Sequence, residues 1–421
     1  RPIEAVPVEA FELVDDNLTI ELWARSPLID SPVAMDFDAQ GRLWLTEGID
    51  YQRGLRIEEG RSIMVLEDQD GDGEADSSHV FVTEKDIRHA PLGIAVFDNR
   101  IVLSATPSII VYTDVDRNAV FDPKIDRRDV FLDGFQNKNH DHSVHAVVGA
   151  PSGQWHFSFG NCGADLTTKD GKRFVASSYY GYPEAIGTKS SDGEVYVGGM
   201  TMRINPDGTG LTPTGENMRN SHDLFVTSQG DVLQSDNDDP AHARMSWVME
   251  GANMGYADLS DGSRSWEEVA KTWEEPAGWS KSRRFSRSHW RENYPGAFPP
   301  GNIYGAGSPT GNVYIEDGTL GLAGTYLVAC MVRKEVMACL PQWKDGYIEM
   351  GEQKPFLRLK EDRKSEFFLP TDLALAPDGS LFLGDFYDDT SRGTNHVSGS
   401  IYRISRKDGA LPKFPDIDFD S

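Results

Sequence analysis

The feature that most restricts this fold is a run of turn residues followed by alternating apolar residues. It recurs six times along the 421 residues, at 38–47, 97–103, 150–157, 227–235, 321–329 and 376–384. Self-similarity of this kind marks a repeat architecture, because each unit must bury its apolar surface against its neighbours. Each copy reads as strand, tight turn, strand, with turn chemistry such as Ala376-Pro377-Asp378-Gly379 between the runs. Most copies are preceded by another apolar run (33–37, 93–96, 224–226, 373–376) and followed by a third strand candidate (63–66, 109–112, 195–204, 313–315, 401–404). Three or four strands per copy, with little helix, predict an all-β fold: a six-bladed β-propeller built as a single domain over residues 1–421. The copies lie about 55 residues apart in three of the five gaps, and the longer gaps hold the irregular stretches 163–194 and 258–308. The second stretch is an insertion between blades four and five. It carries the clearest helix candidate, 265–272, and is expected to form a rim or lid segment. The segments 18–23 and 399–404 read as strands that close the ring.

Charge narrows the partners. A formal net charge of −26, from 67 acidic and 41 basic residues, repels phosphate, so nucleic acid and anionic membrane surfaces are poor partners for the bulk of the surface, and no nucleic-acid partner is expected. No apolar run approaches the ~20 residues a membrane-spanning helix needs, so no direct membrane insertion is expected. Three cysteines cannot make a disulfide framework; Cys330 and Cys339 sit on neighbouring strand-like runs, where a cross-hairpin disulfide and two buried thiols are both open. The chain starts at Arg1, which suits removal of a signal peptide and a periplasmic or secreted location.

The candidate chemistry centres on residues 139–161, where His140, Asp141, His142 and His145 precede a β-type run. On an extended segment His140 and His142 would project together, with Asp141 and His145 opposite. Imidazole beside a carboxylate suits general-base work or metal ligation. In a propeller, the segments entering the innermost strands converge on the axis. Arg219 and His222 stand just before such a strand in blade four, and Arg88 and His89 hold the equivalent place in blade two. Converging charge of this kind is costly to bury as mere core.

Two acidic loops have calcium-ligand spacing. Asp68, Asp70, Asp72 and Asp76 occupy positions 1, 3, 5 and 9 with glycine at 6, and Asp114, Asp116, Asn118 and Asp122 repeat the spacing one blade later. Both are expected to be structural sites between outer strands.

A resemblance extends this reading. The segment Asp141-His142, Ala150-Pro151-Ser152-Gly153 and Phe159-Gly160-Asn161 resembles the catalytic segment of the soluble sugar dehydrogenases that depend on pyrroloquinoline quinone (PQQ). The stretch from Met218 through Asp236-Asn237-Asp238-Asp239-Pro240 to Tyr256 is similar to that family's quinone- and calcium-binding segment. The chain as a whole, over roughly 17–408, resembles the propeller modules called membrane-bound dehydrogenases in planctomycete and verrucomicrobial genomes. The markers are Phe37-Asp38-Ala39-Gln40-Gly41, the first acidic loop, Arg219-Asn220 and Leu369-Pro370-Thr371-Asp372. The resemblance implies His142 as the base that takes a sugar hydroxyl proton, Asp141 orienting it, and Arg219 and His222 beside it. It also implies Arg88, His89, Arg219, Asn220, Arg333 and Lys334 around PQQ, and Asp238 and Asp239 on an active-site calcium. Asp238 and Asp239 stand where that family has glycine and proline, and Phe368-Leu369-Pro370-Thr371 stands where it has two arginines.

Three functions compete on this evidence. The first is an oxidoreductase acting on a sugar or related alcohol with PQQ and calcium. Lacking a haem-type C-x-x-C-H, it would pass electrons to a separate acceptor such as a cytochrome. The second is a carbohydrate lyase or hydrolase whose transition metal ion sits on the axis among His89, His140, His142, His145 and His222. The third is a non-catalytic propeller that binds a glycan through Trp266, Trp273, Trp279 and Trp290. A small-molecule or oligosaccharide ligand is common to all three.

Overall fold

The computed structural model of the chain describes residues 5–48, 60–85, 87, 89–138, 140–178, 180–237, 243–256, 298–299, 301–386 and 399–409. The six repeats fold as six sheets, antiparallel but for the short Ala252–Asn253 strand that joins Thr212–Met218 in parallel, and their innermost strands meet in a closed ring. These strands are Pro32–Phe37, Gly93–Phe97, Val144–Gly149, Ser221–Val226, Pro309–Ile315 and Pro370–Leu375, one for each blade of a β-propeller. Blades one and two are plain four-stranded meanders, from Pro32–Phe37 to Ser77–Glu84 and from Gly93–Phe97 to Arg127–Asp133.

Burial on both sides of each blade explains the apolar runs. An apolar cluster fills each of the six gaps between blades: Trp44, Phe81 and Tyr112 pack between blades one and two, for example, and Leu233, Met245, Tyr326 and Met337 between four and five. Trp155–Phe159 is buried at every residue, as a strand covered on both faces must be.

The ring is closed by strands from both ends of the sequence. Leu18–Arg25 pairs antiparallel with Ser400–Arg406 in blade six, and Phe11–Leu13 adds an edge to blade five beside Lys354–Leu359. The stretch 163–194, irregular by sequence, contains two strands of a small extra sheet of Ala164–Thr167, Arg173–Ser177 and Tyr196–Val197. Residues 313–315 belong to the inner strand of blade five and so precede their repeat rather than follow it. Within 258–308, Asn302–Gly305 is the outer strand of blade four, while the helix candidate 265–272 and the four tryptophans lie outside the described residues.

Cys330 and Cys339 do not pair. Cys330 lies opposite Glu335 and Cys339 opposite Tyr326, at the two ends of the hairpin, and all three cysteines are buried free thiols. Among the described residues no helix is long and apolar enough to cross a membrane.

The meander fixes which loops share a face. Segments entering the inner strands, and loops joining second to third strands, lie on one face, called here the entry face. The first hairpin turns and the loops joining third to fourth strands lie on the other.

Candidate functional site

A cavity of about 430 Å3 opens on the entry face, lined by Asp141, His142, Asn161, Tyr180, Arg219, Asn220 and His222 with Asn237, Ser308, Thr310 and Thr371. Five of the six inner strands carry a register irregularity at their start, for instance between Ser221 and Asp223 and between Val144 and Val147. A bulge re-aims the residues around it, which is why side chains from separate blades reach one space.

His140–His142 forms a single 3-10 turn rather than an extended segment. The two imidazoles therefore part company. His140 stacks on His89, with ring centroids 4.9 Å apart and planes 11° from parallel, whereas His142 turns toward Tyr180, centroid to centroid 5.6 Å. His142 Nδ1 donates to Asn161 Oδ1 at 2.6 Å. The partner fixing this imidazole is thus Asn161, just past the second strand of blade three, and not Asp141 as the sequence suggests. With Nδ1 carrying the proton, Nε2 is the nitrogen free to accept one. Burial, then the Arg219 charge, push the His142 pKa down to about 3, so the ring is neutral across the physiological range.

Arg219 and Asn220 are held from behind. Their backbone N–H groups donate to Asp236, at 3.3 and 2.7 Å, and Asp236 is paired with Arg244 at 2.9 Å, both side chains fully buried. The Arg219 guanidinium donates to the Asn237 carbonyl at 2.7 Å. Asn220 spans the two blades: its Nδ2 donates to the Asp141 carbonyl at 2.8 Å and its Oδ1 accepts from His145 Nε2 at 2.8 Å. The Asn161 backbone N–H donates to the Arg219 carbonyl at 2.7 Å. Gly160 is required at this crossing, because a Cβ there would lie 2.3 Å from Asn220 Oδ1. His222 packs on His145, centroids 4.6 Å apart, and burial lowers its pKa to about 4. His145 is driven well below the usual imidazole range, by burial first and then by His222.

Arg333 and Lys334 do not line the cavity. Arg333 Nε donates to Glu335 at 2.5 Å and Lys334 Nζ to the Glu366 carbonyl at 2.8 Å, while their neighbours Met331 and Val332 form the wall. Arg88, Asp238 and Asp239 lie outside the described residues. The five histidines do not gather as a metal set. Among the described residues, the groups of three or more His, Cys, Asp or Glu with ligand atoms within 4.8 Å are Asp68, Asp70, Asp76 and Asp114, Asp116, Asp126.

Both acidic groups lie in loops joining third to fourth strands, on the face opposite the cavity. In the first, the Asp72 carboxylate turns to the Glu74 N–H (2.9 Å) and stands outside the converging group. In the second, Asp126 takes the place expected of Asp122, whose carboxylate accepts from Lys124 N–H at 2.9 Å, while Asn118 Oδ1 accepts from Val120 N–H at 2.7 Å. Oxygen-only sets of this kind suit a hard divalent cation.

Sequence reasoning gave no role to Asn161, Tyr180, Arg244 or Asp126. Asn161 carried a signal: it follows a second strand, and such ends share the entry face with His142. Tyr180 carried none, since it sits in the connection within the extra sheet, and neither did Arg244, a charge in the third strand of a blade.

The architecture is that of known sugar dehydrogenases. A putative oxidoreductase (glucose dehydrogenase) of Thermus thermophilus is 15% identical and superposes with a TM-score of 0.58, over 92% of this chain and 99% of that one. A Trichoderma reesei enzyme of Carbohydrate-Active Enzymes Family AA12 is 14% identical, with a TM-score of 0.60 over 97% and 100%. The PQQ-bound aldose sugar dehydrogenase of Streptomyces coelicolor is 12% identical, with a TM-score of 0.58 over 92% and 98%. No curated protein matches the chain. Residues 8–396 match the model of a domain of unknown function, DUF7133, and the chain belongs to that family.

Proposed function

We propose that the protein is an oxidoreductase that oxidises a sugar or related alcohol in the entry-face cavity, with PQQ as cofactor and His142 as general base. The observation that carries this reading is the His142–Asn161 pair. It presents a neutral imidazole with an assigned proton on Nδ1 and a free Nε2, beside the Arg219 guanidinium. A cavity of about 430 Å3 falls in the ~300–1,000 Å3 range of small-molecule sites. Its wall fits an acidic quinone through the Arg219 guanidinium and the N–H groups of the Asn161 and Asn220 amides, with the hydroxyls of Tyr180, Ser308, Thr310 and Thr371 around them.

When bound, PQQ would supply a two-electron acceptor for the carbon that bears the reacting hydroxyl. His142 Nε2 takes the hydroxyl proton, and Asn161 holds Nδ1–H so that the ring cannot present the wrong nitrogen. Arg219 and Asn220 bind oxygen atoms that carry negative charge, and Asp236 with Arg244 fixes their backbone. Tyr180 covers His142 and limits water at the base. Calcium in the two acidic loops is structural, because they lie on the far face. Electrons leave to a separate acceptor, and a periplasmic or secreted setting fits this chemistry.

Reconstitution with PQQ and Ca2+ should give dye reduction dependent on an aldose. His142→Ala should lower kcat by about 100- to 10,000-fold while PQQ binding persists. Absence of PQQ binding, or full activity in the variant, refutes the proposal.

A further inference from the structure

The entry-face cavity does not end at its floor. Val33, Leu92, His222 and Thr371 line both it and a second space of about 450 Å3 that continues down the propeller axis between the six inner strands. Three carboxylates face this channel, Asp36, Asp223 and Asp372, and among its described lining residues there is no lysine or arginine. Each spans to the next inner strand. Asp36 accepts Val96 N–H at 2.7 Å, Asp223 accepts Asn312 N–H at 2.7 Å and Asp372 accepts Met35 N–H at 2.6 Å.

Two of the three meet at one place in blade five. Asp223 Oδ2 holds the backbone of Asn312, and Asp372 Oδ1 lies against Gly311, where an added Cβ would be only 2.0 Å from that oxygen. Asn312 itself is 5% exposed, lines the channel, and has neither Oδ1 nor Nδ2 hydrogen-bonded among the described residues. A buried amide with both ends unused, on the strand that two carboxylates of like sign touch, leaves hydrogen-bonding capacity for a ligand that the carboxylates, each already accepting two backbone N–H groups, do not use.

We propose that the axial channel holds a divalent cation, bound by Asp223, Asp372 and the Asn312 amide oxygen and retaining part of its water. An all-oxygen set of two charges selects a hard ion of the calcium, magnesium or manganese type over zinc or copper. The ion ties blades four, five and six together below the cavity. This site is separate from the two acidic loops and independent of the redox reading, so either can fail alone.

The test uses the metal-depleted full chain carrying Asp70→Asn and Asp116→Asn, which silence the surface loops, titrated with Mn2+ and read by loss of the free-ion EPR signal. Adding Asp372→Asn should weaken the Asp372-dependent binding at least tenfold. Adding Asn312→Asp, which supplies a third carboxylate, should tighten it about tenfold, a gain that misfolding cannot produce. Identical Mn2+ isotherms in the parent and both variants, or no Mn2+ bound by any of them, overturn the proposal.

Discussion

At the residue scale the decisive contact is the 2.6 Å hydrogen bond between His142 and Asn161. An amide can fix a tautomer without adding charge, while burial and then the Arg219 guanidinium push the His142 pKa down to about 3 and keep the imidazole neutral. A base of this kind is unprotonated from mild acid upward, so kcat/KM should show no acid limb near the ordinary histidine value of ~6.5. Asn161→Ala should lower kcat roughly 10- to 100-fold by freeing the ring, within the range for general-base catalysis. Asn161→Asp places a carboxylate at the same atom, favours the imidazolium, and should move an acid limb up into the measurable range. A pH–rate series on the three proteins checks the order; an unmoved profile in Asn161→Asp would mean that His142 is not the base. The placement of His142 and Arg219 at one cavity was legible because titratable side chains before inner strands are conspicuous. Asn161 was legible only as the end of a second strand on the same face, since its hydrogen bond comes from a partner 19 residues away across a hairpin.

At the scale of elements, the start of blade four illustrates how a strand supports a site. Asp236 accepts two backbone N–H groups from the Arg219–Asn220 turn and is neutralised by Arg244 inside the blade. Removing one partner of a buried pair typically costs ~3–5 kcal/mol, so Arg244→Met should destabilise the fold by about that amount and loosen Arg219. Urea unfolding, together with the PQQ affinity of the folded fraction, measures both effects. The acidic loops make a sharper comparison between spacing and geometry. Spacing pointed to Asp122, but the chain turns at residues 122–126 so that Asp126 faces Asp114 and Asp116. Chelation should therefore lower Tm by roughly 2–6 °C, the effect expected of losing an ion bound well above its Kd. Asp126→Asn should abolish the second loop's share and Asp122→Asn should leave it. Calorimetry with and without EGTA separates the two residues.

At the scale of the whole molecule, the propeller was readable because both faces of every blade are buried, which writes the same strand and turn pattern into each repeat. What escaped was whatever the repeat does not encode: the small sheet that carries Tyr180, the outer strand Asn302–Gly305, and the bulges that aim His145 and His222. The axial channel escaped for a related reason. Asp36, Asp223 and Asp372 look like ordinary turn-proximal acids until the ring brings them to its centre.

The pairing of Leu18–Arg25 with Ser400–Arg406 has a consequence for biosynthesis. Blade six lacks a strand until residues 400–406 have left the ribosome, so Leu18–Arg25, made much earlier, must wait unpaired for them. Exposed sheet edges of this kind invite association between chains. Deleting residues 400–421 should therefore yield soluble aggregates rather than a smaller monomer, as light scattering would reveal. In the intact protein, the same arrangement makes closure of the ring an event that follows synthesis of residues 400–406.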